Sequence, residues 1–562
     1  MIGTGPHGAP RVATETERRK CGRFDYFFPD AESPLYTDDT PAHLTALQKA
    51  IYDHGDPDDL NNSALPPVFT YLGQFIDHDI TNQGLVDEDA RRIVDIFKPD
   101  GNFDPSHRDA VTQAIFNVRT GRFDLDSLYG PKVPTGNPAL DKLIGLMRFP
   151  EDRAKMWLGV PAGAEGGFPG GLPEDPAADL LRLHRLMAPP TGAPLFTPAD
   201  FDALPDEVKK AFSKDQEPNL AAAVIGDPRN DENLFVAQLH MAFLRYHNTM
   251  VDALRADGVT GTEDEIFARA RRQVTLHYQW LVMNVYLPAI CDPVALQQVT
   301  GGGAQLYKDF LAACHYVPGK PFPMPIEFVV AAFRFGHSMV RGAYDWNDAF
   351  TRTEFKNLFD FTGNGSQLPK SESALPARWV IDWRRTAMPN SEFAIRSTRR
   401  IDTNVALPLK TMLNEPAKFD ENNLAARNLK RGVRMNVPGA QPSIDALNAA
   451  YGFDLRPLTQ TELTSGRTGD ALQKADYTAN TPIWFYVLKE AETRQAGQRL
   501  GAFGTHIVAG TIAGLILHDP QSYWNTEGSH EGRWHPVDGV RASGQLVDSL
   551  PNLFRAALLL ES

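Results

Sequence analysis

The 562-residue chain predicts one large, mainly α-helical domain with long loops and little β structure. Three observations carry this. Long segments repeat apolar residues at helical spacing, above all "ENLFVAQLHMAFLRYHNTMVDAL", "DEIFARARRQVTLHYQWLVMNVYLPAI" and "PIEFVVAAFRFGHSMVRGAY". Strand-like alternation is scarce. Stretches rich in Gly and Pro, such as "PAGAEGGFPGGLPEDPAAD" and "MAPPTGAPLFTPAD", separate the periodic segments. No repeat or linker divides the chain, so residues 61–562 read as one domain. Residues 1–60, rich in Pro, Asp and Gly, read as an extended arm.

Taken in order, "YLGQFIDHDI" (71–80) follows Pro66 and Pro67 and reads as a helix in an apolar run. Gln74, Asp77 and His78 then stand at i, i+3 and i+4 on one face, and Asp79 turns about a quarter-circle away. "VRTGRFDLDSLYG" places Thr120, Arg122, Asp124 and Asp126 at every second position, as an extended loop would. The segment from Glu232 to Leu254 is a largely buried helix, with Leu234, Gln238, Met241 and Arg245 near one line. A second long helix ends near Pro288, and a third runs through "AFRFGHSMV". Further helices are expected over 441–450, 482–496 and 505–517.

Composition excludes several classes. Net charge is −14, from 56 basic and 70 acidic residues, which argues against a nucleic-acid partner. No apolar run reaches the ~18 residues of a membrane span. Three cysteines, Cys21, Cys291 and Cys314, form neither a disulfide framework nor a zinc motif. The first residues show no apolar core of a secretory signal. The expectation is a cytoplasmic protein or one exported by a non-classical route, with no obligate protein partner evident.

The polar groups within apolar helices mark the chemistry. A Gln, two carboxylates and an imidazole in one buried-looking helix each cost free energy without partners, so they face a cavity, a cofactor or a metal. "GDPRNDENL" sets Arg229 and Glu232 at i, i+3, though acidic residues at a helix start also serve its dipole. The oxygens of 120–126 suit a hard cation such as Ca²⁺, with an Asx-type turn as the plainer alternative. His337 follows Gly336, which leaves room for something flat and bulky, and lies three residues after Arg334. "AARNLKRGVRMNVPG" sets Asn428 and Arg431 at i, i+3.

As a set, these segments resemble the animal-type haem peroxidases of the peroxidase–cyclooxygenase superfamily, in particular its bacterial members, from about residue 60 to about 525. The resemblance implies a mainly α fold with haem b held between core helices and a bound Ca²⁺. It implies that His78 is the distal acid–base group, Gln74 the glutamine that holds pocket water or halide, and Arg229 the catalytic distal arginine. His337 would be the haem-iron ligand, Asn428 its hydrogen-bond partner, and Arg334 and Arg431 residues near the propionates. Asp77 and Glu232 match carboxylates that can be esterified to haem. Asn233 stands where myeloperoxidase has a sulfonium-forming methionine, so that link is not expected. Asp79, Thr120, Arg122 (by its carbonyl), Asp124 and Asp126 match the calcium ligands, with Asp126 where many relatives have Ser.

The implied activity is reduction of H₂O₂ with oxidation of halide, thiocyanate or small phenols through an oxoferryl intermediate, in the response to oxidative stress. A fatty-acid dioxygenase of the same superfamily is the alternative. It needs a radical-carrying tyrosine three residues before the proximal histidine, where this chain has Arg334. A non-enzymatic haem or calcium protein is the third reading, and it gives no reason to keep His78, Arg229 and Gln74 together.

Overall fold

The computed structural model describes residues 11–12, 21–52, 61–96, 103–164, 168–169, 172, 177–365, 374–388, 397–412 and 422–561. The helices that build the core are α1 (Thr40–Tyr52), α2 (Val68–Ile80), α3 (Leu234–Ala256), α4 (Glu263–Leu281), α5 (Leu424–Arg434), α6 (Ile483–Arg494) and α7 (Ala502–His518). Short helices and long loops connect them. No helix among the described residues is long and apolar enough to cross a membrane.

Segment 1–60 is not extended throughout. It contains α1, whose Leu44, Leu47 and Ile51 are buried. Most of residues 1–20, and 53–60, lie outside the described residues, as does much of the Gly/Pro loop near 165–176.

The β structure is small but sits next to α2. Strands β1 (Arg11–Val12), β2 (Gly22–Asp25), β3 (Gln83–Leu85), β4 (Ile115–Asn117) and β5 (Met324–Pro325) form one sheet in the order β1-β3-β4-β2-β5. β3 leaves the C-terminus of α2 and pairs antiparallel with β4, Gly84 opposite Phe116. β4 leads straight into the 119–126 loop, so the sheet carries that loop back to the end of α2. Buried Asn117 secures the join: its amide donates to Ile80 O at 2.8 Å and accepts from the Asn82 and Arg119 N–H groups.

α2 packs against α3. Tyr71 stacks on Phe235 at 4.0 Å and Phe75 on Phe243 at 5.0 Å, contacts worth about 0.5–1.5 kcal/mol each beyond the area they bury. A Cβ at Gly73 would overlap the Tyr286 hydroxyl, so glycine is what lets α2 meet the 282–286 turn.

Two expected helices depart from regular geometry. α4 opens on a Thr262–Glu265 capping box and runs into a π turn at Val282–Tyr286, after which the helix continues through Pro288 to Ile290. The widened turn admits a residue that lacks an N–H and would break a regular helix. The third segment is a π turn at Glu327–Ala331 followed by a 3₁₀ helix at Ala332–Met339, not an α-helix. Buried Glu327 anchors it by accepting from the N–H groups of Phe27 and Phe28 at 2.9 and 3.0 Å. The helices expected over 441–450, 482–496 and 505–517 are present as Ala440–Tyr451, α6 and α7.

Candidate active site

A cavity of about 720 Å³ opens between α2, the Pro228–Asp231 turn, the 3₁₀ segment and α5. One wall carries Gln74, Asp77, His78, Arg229 and Glu232, and the other carries Arg334, His337, Asn428 and Arg431. Sequence-distant segments thus bring the expected groups to one space. Apolar side chains such as Val329, Phe333, Phe355 and Leu409 complete the lining.

On the first wall, His78 is 4% exposed and its Nδ1 lies 2.8 Å from Asn230 Oδ1. With the amide oxygen on that side, Nδ1 is the protonated nitrogen and Nε2 is left with the lone pair, 3.9 Å from Glu232 Oε1. Burial and the positive charge of Arg229 hold its pKa below the usual histidine value, so the ring is a neutral base near pH 7. Arg229 and Glu232 do not lie on α3. They occupy the 3₁₀ turn before it and that turn's C-terminus, and Asn233 caps α3 by accepting from Val236 N–H. Gln74 donates to Glu232 and accepts from Asn233 Nδ2 at 3.2 Å. Burial raises the Glu232 pKa above its ordinary value. Burial acts the same way on Asp77, but Arg334, His78 and Arg229 outweigh it and hold that carboxyl low.

Arg229 is clamped. Its Nε and Nη2 donate to Asp227, at 3.1 and 2.7 Å to Oδ2, and Nη2 also donates to the carbonyls of His78 and Thr81. Asp227, 1% exposed, caps the turn through Arg229 N–H and also pairs with buried Arg119. Arg119 in turn donates to Asp126 Oδ1 at 3.0 Å. An ion-pair chain therefore runs from Asp126 through Arg119 and Asp227 to Arg229.

On the second wall, the Asn428 side-chain amide lies 2.9 Å from His337 Nδ1. Nδ2 faces the ring there, and a half-turn of the amide offers Oδ1 to a ring protonated at Nδ1. A Cβ on Gly336 would meet no atom within 4 Å, so the space beside His337 is open. Arg334 donates to Val329 O at 2.8 Å and stands 3.8 Å from Asp77. Burial and the neighbouring charges of Arg334 and Arg427 push Arg431 down to about 9. Arg334, Arg427 and Arg431 make this side of the cavity positively charged, which suits a ligand that carries carboxylates. The open space beside Gly336, an imidazole on each wall and the arginine cluster together fit haem.

Asp79 is fully buried and faces away from the cavity, where Asp79, Asp124 and Asp126 bring carboxylate oxygens within 4.8 Å of one another. Burial and the charges of Asp126 and Asp124 raise the Asp79 pKa well above normal, and burial with Asp126 lifts Asp124 to about 7. Such a cluster of hard oxygens fits a Ca²⁺-sized cation. Thr120 Oγ1 bonds Asp124 at 3.3 Å, whereas the Arg122 guanidinium turns away to Asp519 and the Phe322 ring. Left-handed Leu125 bends the 119–126 loop, so it is not a simple extended strand.

Sequence reading missed Asn230, His240, Arg119 and Arg427. Asn230 bridges the two histidines, its Nδ2 3.0 Å from His240 Nδ1. Only the fold reveals these contacts, because each joins residues on different elements.

Residues 191–439 match the family model "Animal haem peroxidase". That stretch contains Arg229, Glu232, His337 and Asn428, and α2 precedes it. The chain is 23% identical to chorion peroxidase of Drosophila melanogaster over 381 residues, 65% of this chain and 42% of that protein. It is 32% identical to a peroxidase-like protein of Margaritifera margaritifera over 120 residues, 21% of this chain and 14% of that one. The chain thus spans less than half the length of either relative. Its fold is similar to peroxidase A of Dictyostelium discoideum, with a TM-score of 0.52 and 16% identity over 92% of this chain and 88% of that one. It is equally similar to a fatty acid alpha-dioxygenase of Oryza sativa, with a TM-score of 0.53 and 13% identity over 99% and 88%. Residues 191–439 are thus similar to the animal haem peroxidase family, and the fold is similar to that of the Dictyostelium discoideum peroxidase and the Oryza sativa alpha-dioxygenase.

Proposed function

We propose that the chain is a haem peroxidase that reduces H₂O₂ and oxidises small donors such as halide, thiocyanate or phenols. The observation that carries the reading is the pairing across one cavity of His337–Asn428 with a neutral His78 beside a clamped Arg229. His337 would hold the iron, and Arg334, Arg427 and Arg431 would meet the propionates. Bound haem would supply the redox equivalents and the site where peroxide oxygen docks. His78 Nε2 takes one proton from peroxide and returns it to the departing oxygen. Arg229 stabilises the negative charge that develops as the O–O bond breaks, and Asp227 with the two carbonyls keeps it aimed. Gln74, tied to Glu232 and Asn233, orders water or a small anion at the same wall.

We further propose that Ca²⁺ binds at Asp79, Asp124 and Asp126, with Thr120 and the Arg122 carbonyl, and fixes the C-terminal end of α2 under His78. Asp77 and Glu232 are the proposed ester-forming carboxylates, with no sulfonium link at Asn233. A fatty-acid dioxygenase is the second reading, favoured by the fold likeness to the Oryza sativa enzyme. Arg334, at the position where that chemistry would need a tyrosine, weighs against it. Peroxide-dependent oxidation of bromide, thiocyanate and guaiacol, measured beside O₂ uptake on palmitate, separates the two. Turnover of the first set without O₂ uptake supports the peroxidase, and the reverse overturns it.

A further inference from the structure

Helices α2 and α3 bring two buried imidazoles toward each other, and one side chain stands between them. His78 is 4% exposed, and Asn230 and His240 are fully buried. Asn230 Oδ1 lies 2.8 Å from His78 Nδ1, and its Nδ2 lies 3.0 Å from His240 Nδ1. A carboxamide has one accepting and one donating end. It must therefore accept from one ring and donate to the other, so the two Nδ1 atoms carry opposite protonation. We infer that Asn230, oriented by His240, is a positioning residue that holds His78 in the Nδ1–H tautomer with its Nε2 lone pair toward the cavity. The inference rests on the peroxidase reading for its purpose, since only a base at Nε2 can serve peroxide.

The surroundings keep the lock closed. Among the described residues His240 Nε2 meets no hydrogen-bond partner, so Asn230 is the group that fixes this ring. Burial drives the His240 pKa down to about 3, and the ring stays neutral with one lone pair for Asn230 to donate to. Asn230 is itself fixed by backbone, because it sits inside the 3₁₀ turn capped by Asp227. The charged groups facing His78 are Arg229, Glu232, Asp227 and Asp77. Among the described residues none of these charged groups hydrogen-bonds His78 Nδ1, and Asn230 holds that nitrogen. A ring free to exchange tautomers would present Nε2–H to the cavity part of the time and could not take a proton there.

The experiment compares Asn230→Leu, Asn230→Thr and His240→Leu with wild type in the full chain. The tautomer is read from ¹⁵N-histidine NMR, with the His78 signals assigned by their loss in His78→Gln. Wild type should show His78 protonated at Nδ1 alone. Asn230→Leu should show exchange between tautomers and, in haem-loaded protein, a peroxide rate lower by ~10-fold or more, with haem content and absorption spectrum unchanged. Asn230→Thr keeps an oxygen acceptor and should restore the tautomer and most of the rate. His240→Leu should fall between them. An Nδ1–H tautomer and wild-type peroxide rate in Asn230→Leu would overturn the inference, as would a Thr variant no better than Leu. If Asn230→Leu does not fold, the Thr variant and His240→Leu decide by the same readouts. If wild type takes up no haem, the peroxidase reading fails, and the NMR tautomers still decide whether Asn230 is the lock.

Discussion

Asp227 holds two arginines in a nearly dry setting, and Asp227→Asn removes the charge that both need. Arg119 and Asp227 side chains are 3% and 1% exposed, and Arg229 is 10% exposed. Breaking a buried ion pair from one side costs about 3–5 kcal/mol, because the partner's charge stays buried. Arg119 keeps Asp126 at 3.0 Å, and Arg229 keeps the carbonyls of His78 and Thr81, so the low end, about 3 kcal/mol, applies here. Unfolding entropy is about 2.1 cal/mol/K per residue, so over 562 residues that loss lowers Tm by only ~2–3 °C. The kinetic effect is larger. With one clamp gone, the Arg229 guanidinium is no longer aimed at the peroxide, and the peroxide step should slow by ~10-fold or more. Arg229 and Arg119, working against burial, hold the Asp227 pKa far below the ordinary carboxylate range. Its stabilising effect is therefore present above about pH 4 and declines as pH falls below it. Differential scanning calorimetry from pH 3 to 8 and stopped-flow mixing with H₂O₂ measure both. A variant with wild-type Tm at pH 7 and an unchanged peroxide rate would refute the clamp.

His78→Ala and Arg229→Ala should each slow the peroxide step by ~10²-fold or more while haem content stays near wild type, measured by stopped-flow absorption. For the cation site, Asp79 and Asp124 have raised pKa values in the folded, metal-free chain, so that form binds more protons than the unfolded chain and loses stability as pH rises from about 4 through about 7. Chelator-treated protein should therefore gain more Tm from added Ca²⁺ at pH 8 than at pH 5, and equal or absent gains would remove the site. Repeated low-peroxide cycles should make haem resist acid–butanone extraction through Asp77 and Glu232, with mass spectrometry showing esters and no sulfonium adduct; haem that always extracts freely leaves them as hydrogen-bonding groups only.

Much of this was legible because helical spacing is a strong constraint. Gln74, Asp77 and His78 at i, i+3 and i+4 had to share a face, and Asp79 had to leave it. The cavity wall and the buried acidic cluster lie where that geometry sends them. What spacing could not show is where an irregular backbone points. The chain at 326–339 has helical periodicity, yet it folds as a π turn and a 3₁₀ helix. Arg229 and Glu232 read as the start of α3 but occupy the turn before it, because Asn233 caps the helix proper. Nothing in "NVRTGR" singles out Arg119, because its partners Asp126 and Asp227 meet it only in the fold. Asn230 and His240 gave no signal at all, since the bond between them depends on how the 3₁₀ turn folds back on α3.

The proposed function stands or falls on haem held through His337 and reacting with peroxide. The absorption spectrum of purified, haem-loaded protein, recorded before and after one equivalent of H₂O₂ for wild type and His337→Ala, tests it most directly. Wild type should show a high-spin ferric spectrum that changes within milliseconds of mixing, and His337→Ala should lose that spectrum or most of its haem. Wild-type haem content and spectrum in His337→Ala, or a wild-type spectrum indifferent to peroxide, would contradict it.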